Sequence, residues 1–357
     1  MGAVCLLTGL AGGLSRIGAD TPSPTTAAAG HGVLMVLGFL GTLIALERAV
    51  ALRRRWGYLA PALAGVGGIA ILVGVPAPVP ALVMATAGAW LVAGYVVMWQ
   101  VQPTLHIAVQ ALGGIAWWAG AVAWLRGAEL AAVTPWLVVF LVLTIAGERL
   151  ELARVAWFGQ RHVVGVTVWS GLIFAGPVVA TWLPALGGRI LGVGLVVLSL
   201  WLWRFDIAPH TVRASGLTRY MAVCLLFGYV WILVAGTIWL WNGDLTEGAS
   251  YDAGLHAVFL GFVMSMVLGH APVILPAVLR VRLPHHPRDY AVLALLQVSV
   301  VVRLVGGDLF GNNVLLITGG ALGVLALLAF VVNAASSAVG AGLAGRTQAR
   351  TYEGTSS

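Results

Sequence analysis

Two histidines, His31 and His256, each open a long apolar run in a chain that otherwise contains few charges. An imidazole at membrane depth costs free energy and is rare, so a histidine in such a position marks a functional site. Neutral imidazole nitrogen is a good ligand for iron and copper. Two histidines at equal depth on two helices match the two axial positions of a haem iron. The pair therefore predicts a haem site with two histidine ligands. The alternative is that each histidine is hydrogen-bonded at the membrane interface, where water is available.

The composition places the chain in a membrane. Hydrophobic residues make up 60% of the 357 residues and charged residues only 9%, whereas a soluble domain carries about 25% charged residues. The net charge of +7 comes from arginine alone, since the sequence contains no lysine. Arginine in a membrane protein sets orientation rather than binding nucleic acid. We therefore predict an integral membrane protein in contact with lipid and without a nucleic-acid partner.

About twelve apolar runs have the ~17–25 residues that cross a bilayer. The sequence therefore predicts an all-α, polytopic membrane protein with a single transmembrane domain over residues 1–340. A tail, residues 341–357, is predicted to be cytoplasmic and disordered. The predicted spans are 1–18, 31–51, 57–75, 81–99, 105–125, 134–152, 162–183, 188–204, 218–241, 252–279, 289–309 and 313–337.

The distribution of arginine predicts the orientation. One set of span ends carries most of the arginines, and the other carries only Arg16, Arg126, Arg189 and Arg303. Because cytoplasmic ends are enriched in basic residues, the arginine-rich ends are predicted to face the cytoplasm. Both termini then lie there, in a bacterial-type inner (plasma) membrane. His31 and the start of the tenth span lie near the outer face.

Three further histidines are candidates for a second, deeper metal site. His270 follows His256 by fourteen residues, which is ~21 Å along the same helix and within roughly 40° of the same direction. His106 and His162 begin the fifth and seventh spans at their cytoplasmic ends. The alternative for these two is a solvated span end. Together they predict an inner site that could hold either a second haem or copper.

The neighbours of the two outer histidines suit a flat ligand. Met35 and Gly32 lie close to His31, and Gly254 and Gly261 flank the second histidine. Small residues let a flat ring approach the helices, although glycine is also common where helices pack together. Met35 is therefore included in the predicted haem site.

Two glutamates at the cytoplasmic ends of spans are candidates for a proton path. Glu47 ends the second span and Glu148 ends the sixth, each directly before an arginine. Carboxylates at membrane depth often belong to proton relays. Structural ion pairs with the adjacent arginines are the alternative.

The chain resembles subunit I of the haem–copper oxidases in three features. It has twelve predicted spans, the segment Gly30-His31-Gly32-Val33-Leu34-Met35 at the outer start of the second span, and a histidine at the outer start of the tenth. They are also similar to the NnrS family of membrane haem- and copper-containing proteins linked to nitric oxide metabolism. The resemblance implies an oxidase-like bundle in which His31 and His256 ligate a low-spin haem b. It also implies that Arg303 holds the haem propionates, although pairing with Asp308 is an alternative.

The chain lacks other motifs of the oxidases. It has no His-x-His on the tenth span, no His-Pro-Glu-x-Tyr on the sixth and no His-His pair on the seventh. Its adjacent pair, His285 and His286, lies in an arginine-rich loop. The resemblance therefore implies one or two haem b groups more strongly than it implies an oxygen-reducing haem–copper centre.

Three classes of function follow from these features. The first is a haem protein, with or without copper, that transfers electrons from a quinol or cytochrome or that binds and reduces a diatomic gas such as nitric oxide. The second is a proton-coupled transporter or channel lined by the intramembrane histidines and glutamates. The third is a structural or assembly subunit. The sequence predicts no particular oligomeric state and no catalytic residue.

Overall fold

The computed structural model describes the backbone of residues 1–21, 24–153, 160–279 and 285–354, and the side chains of residues 1–21, 24–152, 162–276 and 285–337. All regular structure in these ranges is helical. We number the long helices in chain order: α1 Gly2–Arg16, α2 His31–Leu52, α3 Arg55–Leu72, α4 Pro78–Val101, α5 Leu105–Leu125, α6 Leu130–Ala153, α7 Gln160–Ala180, α8 Pro184–Phe205, α9 Gly216–Asn242, α10 Gly248–Pro276, α11 Arg288–Leu309 and α12 Asn313–Gly354.

Within the described residues, the 11 helices α2 to α12 are long and apolar enough to cross a membrane. This confirms the predicted all-α, polytopic membrane protein. Helix α1 is shorter, because its 15 residues extend only ~22 Å against a hydrocarbon core of ~30 Å. A Cβ on Gly13 would lie 2.7 Å from the His31 ring, and one on Gly2 would lie 3.5 Å from Thr42. Helix α1 therefore covers about half of α2.

Helix α6 lies at the centre of the bundle. The side chains of six consecutive residues, 138–143, are completely buried, which is the pattern of a helix surrounded on all sides. Small residues allow its neighbours to approach closely. A Cβ on Gly113 of α5, for example, would lie 2.9 Å from the Phe140 carbonyl oxygen. Close backbone approach at glycine is typical of helix packing in membranes.

Three spans contain π-helical segments, Leu34–Gly41 in α2, Ala257–Val263 in α10 and Val302–Leu309 in α11. Such segments are rare and occur mostly at functional sites. The first begins three residues after His31, the second directly follows His256, and the third contains Arg303. The change from α-helical to π-helical geometry therefore occurs next to, or at, the residues that the sequence analysis predicts to bind haem.

We name the two ends of the bundle by residues that lie there. The His31 end contains His31 and His256, and the Arg48 end contains Arg48 and Glu148. Helix α12 continues to Gly354, but its side chains after residue 337 lie outside the described part, as do residues 355–357 altogether. The predicted disorder of the tail and the predicted cytoplasmic location of both termini therefore stay predictions. Three arginines of the arginine-rich span ends from which the orientation is predicted also lie outside the described residues; they are Arg154, Arg280 and Arg282.

Candidate functional site

One cavity at the His31 end brings four of the predicted site residues together. His31, Met35, His256 and Arg303 all line it, and its volume is about 220 Å³. For comparison, an engineered apolar cavity of ~150 Å³ admits benzene. The rest of the wall is mostly apolar and comes from α1, α2, α6, α10 and α12. The cavity is therefore somewhat larger than one that holds benzene, and two histidines line it.

The ring of His31 is fixed by helix α1. Its Nδ1 lies 2.7 Å from the carbonyl oxygen of Gly9. Because a carbonyl only accepts, Nδ1 carries the proton, and Nε2 keeps its lone pair. The ring also lies against Gly13, where a Cβ would be 2.7 Å from Cε1 of the imidazole. Two residues of α1 therefore set the tautomer and the position of this histidine.

The ring of His256 is fixed in a similar way by its own helix. Its Nδ1 donates to the carbonyl oxygen of Asp252 at 2.9 Å and lies 3.3 Å from Oδ1 of the same residue. Nε2 again keeps its lone pair. In metal sites the non-ligating ring nitrogen of a histidine donates to a backbone carbonyl or a carboxylate, which orients the ring and raises its basicity. Both histidines therefore have the hydrogen-bonding pattern of metal ligands.

Arg303 holds Asp252 rather than Asp308. Its Nη2 donates to both carboxylate oxygens of Asp252 at 3.0 and 2.8 Å, and its Nε donates to Oδ2 at 3.1 Å. Only 5% of Arg303 is exposed. The three residues Arg303, Asp252 and His256 thus form a chain in which the arginine orients the aspartate and the aspartate orients the histidine. Sequence reasoning missed Asp252, although its position four residues before His256 is a usable signal.

His270 lies outside this cavity and has hydrogen bonds at both ring nitrogens. Nδ1 donates to the carbonyl oxygen of Met266 at 2.7 Å, and Nη1 of Arg149 lies 3.3 Å from Nε2 and donates to it. The lone pair that a metal would need is therefore occupied. Among the described residues, no group of three or more histidines, cysteines, aspartates and glutamates is arranged to hold a metal ion.

Arg149 forms a buried ion pair with Asp206 and not with the adjacent Glu148, the pairing that the sequence offers as an alternative. Its Nε and Nη2 donate to the two carboxylate oxygens of Asp206 at 2.9 and 2.8 Å. The two side chains are 2% and 1% exposed. Asp206 Oδ1 also accepts from the backbone N–H of Ala208 at 2.8 Å. Asp206 follows α8 directly, so the chain turn after that helix supplies the partner of the arginine.

The other two histidines do not line the cavity. His106 is 6% exposed, and its Nε2 lies 3.2 Å from Oγ1 of Thr104. The ring of His162 meets the ring of Phe205 edge to face, with 4.8 Å between the centroids. Their roles as metal ligands stay predictions.

Both candidate glutamates form ion pairs with Arg48. Glu47 pairs with the guanidinium directly, and Oε1 of Glu148 lies 3.8 Å from Nη2 of the arginine. Nη1 of Arg48 also donates to Oε1 of Gln110 at 3.3 Å. The pairing with an adjacent arginine is therefore present for Glu47, whereas Glu148 pairs with an arginine of another helix. The same groups remain candidates for holding protons.

These features define a polytopic helical membrane protein with a histidine-lined cavity at one end and buried ion pairs at the other. A family model described as a domain of unknown function, DUF8744, matches residues 1–339, and the chain therefore belongs to the DUF8744 family. No curated protein and no solved structure matches the chain. The resemblance to haem–copper oxidases and to the NnrS family accordingly stays a prediction.

Proposed function

We propose that the protein is an integral membrane haem protein that transfers electrons or binds and reduces a diatomic gas such as nitric oxide. One observation carries the proposal. His31 and His256 line the same cavity, each with Nδ1 bonded to a backbone carbonyl and Nε2 free to donate its lone pair. A b-type haem suits this donor set, because it needs axial imidazoles and no covalent attachment.

The residues around the cavity divide the work. His31 and His256 would hold the haem iron, and the chain of hydrogen bonds from Arg303 through Asp252 orients His256. Met35 and its apolar neighbours form a wall against which an apolar ring can pack. Because Asp252 already accepts hydrogen bonds from Nε and Nη2 of Arg303, Arg16 at the cavity wall would be a further cation for the haem propionates. Bound there, haem supplies one-electron redox chemistry.

The proposal contains one haem and neither a second haem nor copper, because the Nε2 lone pair of His270 already accepts from Arg149. It places the His31 end at the outer face of a bacterial-type inner membrane, following the arginine bias. The electron donor is then a quinol from the lipid phase or a cytochrome at that face.

An optical spectrum of the purified protein, oxidised and then reduced, tests the proposal together with iron and copper analysis. We expect a Soret band, resolved α and β bands on reduction, and about one iron per chain. His31→Ala and His256→Ala should each abolish the low-spin spectrum while the protein stays in the membrane. His270→Ala is the matched control and should keep it. A colourless, iron-free protein from cells supplied with haem would overturn the proposal.

The positioning role of Asp252 has its own test. A carboxylate beside a ligand imidazole raises the basicity of the ligand and so stabilises ferric iron. Asp252→Asn removes that charge and leaves Arg303 unpaired, and both changes favour the ferrous state. The midpoint potential should therefore rise while the spectrum stays low-spin. Asp244→Asn, at an exposed carboxylate in the α9–α10 connection, should leave the potential unchanged. An unchanged potential in Asp252→Asn would rule the positioning role out.

A second candidate is a proton-coupled transporter or channel. It is favoured by the buried charges in the other half of the bundle, the pair of Arg149 with Asp206 and the cluster around Arg48. Charges at membrane depth commonly mark a transport pathway. A colourless protein that acidifies or alkalinises the interior of proteoliposomes under an imposed solute gradient would favour this candidate over the haem protein.

A further inference from the structure

Five polar residues from four helices meet at the Arg48 end. Glu47 and Arg48 belong to α2, Tyr95 to α4, Gln110 to α5 and Glu148 to α6. The side chains of the two glutamates and the arginine are 22%, 14% and 12% exposed. Tyr95 has Arg48 and both glutamates among its electrostatic neighbours. We call this group the Arg48 cluster.

Three buried polar atoms of the Arg48 cluster have no hydrogen-bond partner in the described part of the chain. They are Nε of Arg48, the hydroxyl of Tyr95 and Nε2 of Gln110. Tyr95 is 1% and Gln110 0% exposed, and the carboxamide of Gln110 already touches the guanidinium of Arg48 through its other atom. A buried polar group without a partner costs about 1–3 kcal/mol. Internal water is the usual partner of such groups.

The charges of the Arg48 cluster do not balance. Glu47 and Glu148 would bring two negative charges, and Arg48 brings one positive charge. The next cation on α6, Arg149, is already neutralised by Asp206, and Glu151, one turn beyond Glu148, adds a further negative charge. An unpaired carboxylate inside a membrane protein costs free energy. Two carboxyl groups that share one proton carry only one negative charge between them, which Arg48 balances.

We propose that the Arg48 cluster is a hydrated proton-binding site in which Glu47 and Glu148 share one proton beside Arg48. The proton comes from bulk water through Glu47, the most exposed member, and forms an O–H bond with a carboxylate oxygen. It leaves by the same route, and no electron moves. The site is separate from the histidine cavity and does not depend on haem.

Infrared spectroscopy of the protein in lipid, which measures the C=O stretch of protonated carboxyl groups, tests this inference. At pH 7 we expect about one carboxylic acid in the difference between wild type and Glu148→Gln. Glu47→Gln should remove the same band, because the remaining carboxylate is then neutralised by Arg48. Transfer to D₂O should shift the band within minutes, because the site exchanges with water through Glu47.

Glu151→Gln is the matched control, since this residue is exposed and lies one turn from Glu148 on the same helix. It should keep the band. Subtraction of each variant from wild type removes the signals of other carboxyl groups, such as the half-buried Asp308. An unchanged band in Glu148→Gln would overturn the inference, as would a wild type without the band. A bound sodium ion released by Glu148→Gln, with no carboxylic acid in wild type, would show a cation site instead. Circular dichroism establishes that each variant is folded.

Discussion

Asp206→Asn tests whether the ion pair with Arg149 is as closed to water as its geometry indicates. The variant keeps an acceptor for the backbone N–H of Ala208 but removes the charge that faces the guanidinium. Both side chains are at most 2% exposed, so solvent does not replace the lost partner. Breaking a buried ion pair by removing one member costs about 3–5 kcal/mol. In a chain of 357 residues we expect the melting temperature to fall by about 4–7 °C.

The decisive comparison is with the double variant Arg149→Met, Asp206→Asn. It contains no unpaired charge, and apolar replacement of a buried ion pair is often neutral or stabilising. The double variant should therefore be more stable than Asp206→Asn alone. Thermal unfolding in detergent, followed by the fluorescence of the 15 tryptophans, measures both. Additive destabilisation, or a single variant within about 1 kcal/mol of wild type, would refute the assignment of a buried, dry ion pair.

Two further changes test other contacts. Gly13→Val places a side chain where a Cβ would already be 2.7 Å from the His31 ring, so the low-spin haem spectrum should be lost. Gly171→Ala is the control and should keep the spectrum, because a Cβ at this position meets nothing within 4 Å. Gln297→Leu removes the oxygen that accepts from Trp231 Nε1 at 2.7 Å, and the free energy of unfolding should fall by about 1–2 kcal/mol. An unchanged melting temperature would contradict a stabilising role of this buried hydrogen bond.

Much of the architecture could be predicted from the sequence because a bilayer imposes simple rules. Length and apolarity locate the spans, and the eleven long helices α2 to α12 agree with the predicted ranges. The first span is where those rules fail. Residues 1–18 are mostly apolar, but hydropathy does not reveal that the helix ends at Arg16 and covers only half of α2. Its role, which is to bond and contact His31, depends on packing that no hydropathy pattern contains.

The candidate site was predictable in its residues and unpredictable in its bonds. His31 and His256 could be predicted as site residues because placing a histidine at membrane depth costs free energy and is rare outside functional sites. The sequence could not show that Arg303 reaches Asp252 on another helix, since such a pairing is set by the packing of α10 against α11. The same limit applies to Arg149, whose partner Asp206 is 57 residues away. Positive charge at a span end predicts orientation, and it does not distinguish a solvated arginine from a buried one.

The π-helical segments argue that the cavity is the functional centre whichever ligand it holds. A π segment disturbs the regular hydrogen-bond ladder, so it persists where a site benefits from the altered direction of its side chains. Three segments occur in the described residues, and they lie on α2, α10 and α11, the helices that contribute His31, His256 and Arg303 to the cavity. Helix packing alone gives no reason for this coincidence, because α5, α6 and α9 pack as closely without one. The proposed haem protein requires that this cavity hold haem, and the optical spectrum tests that requirement directly.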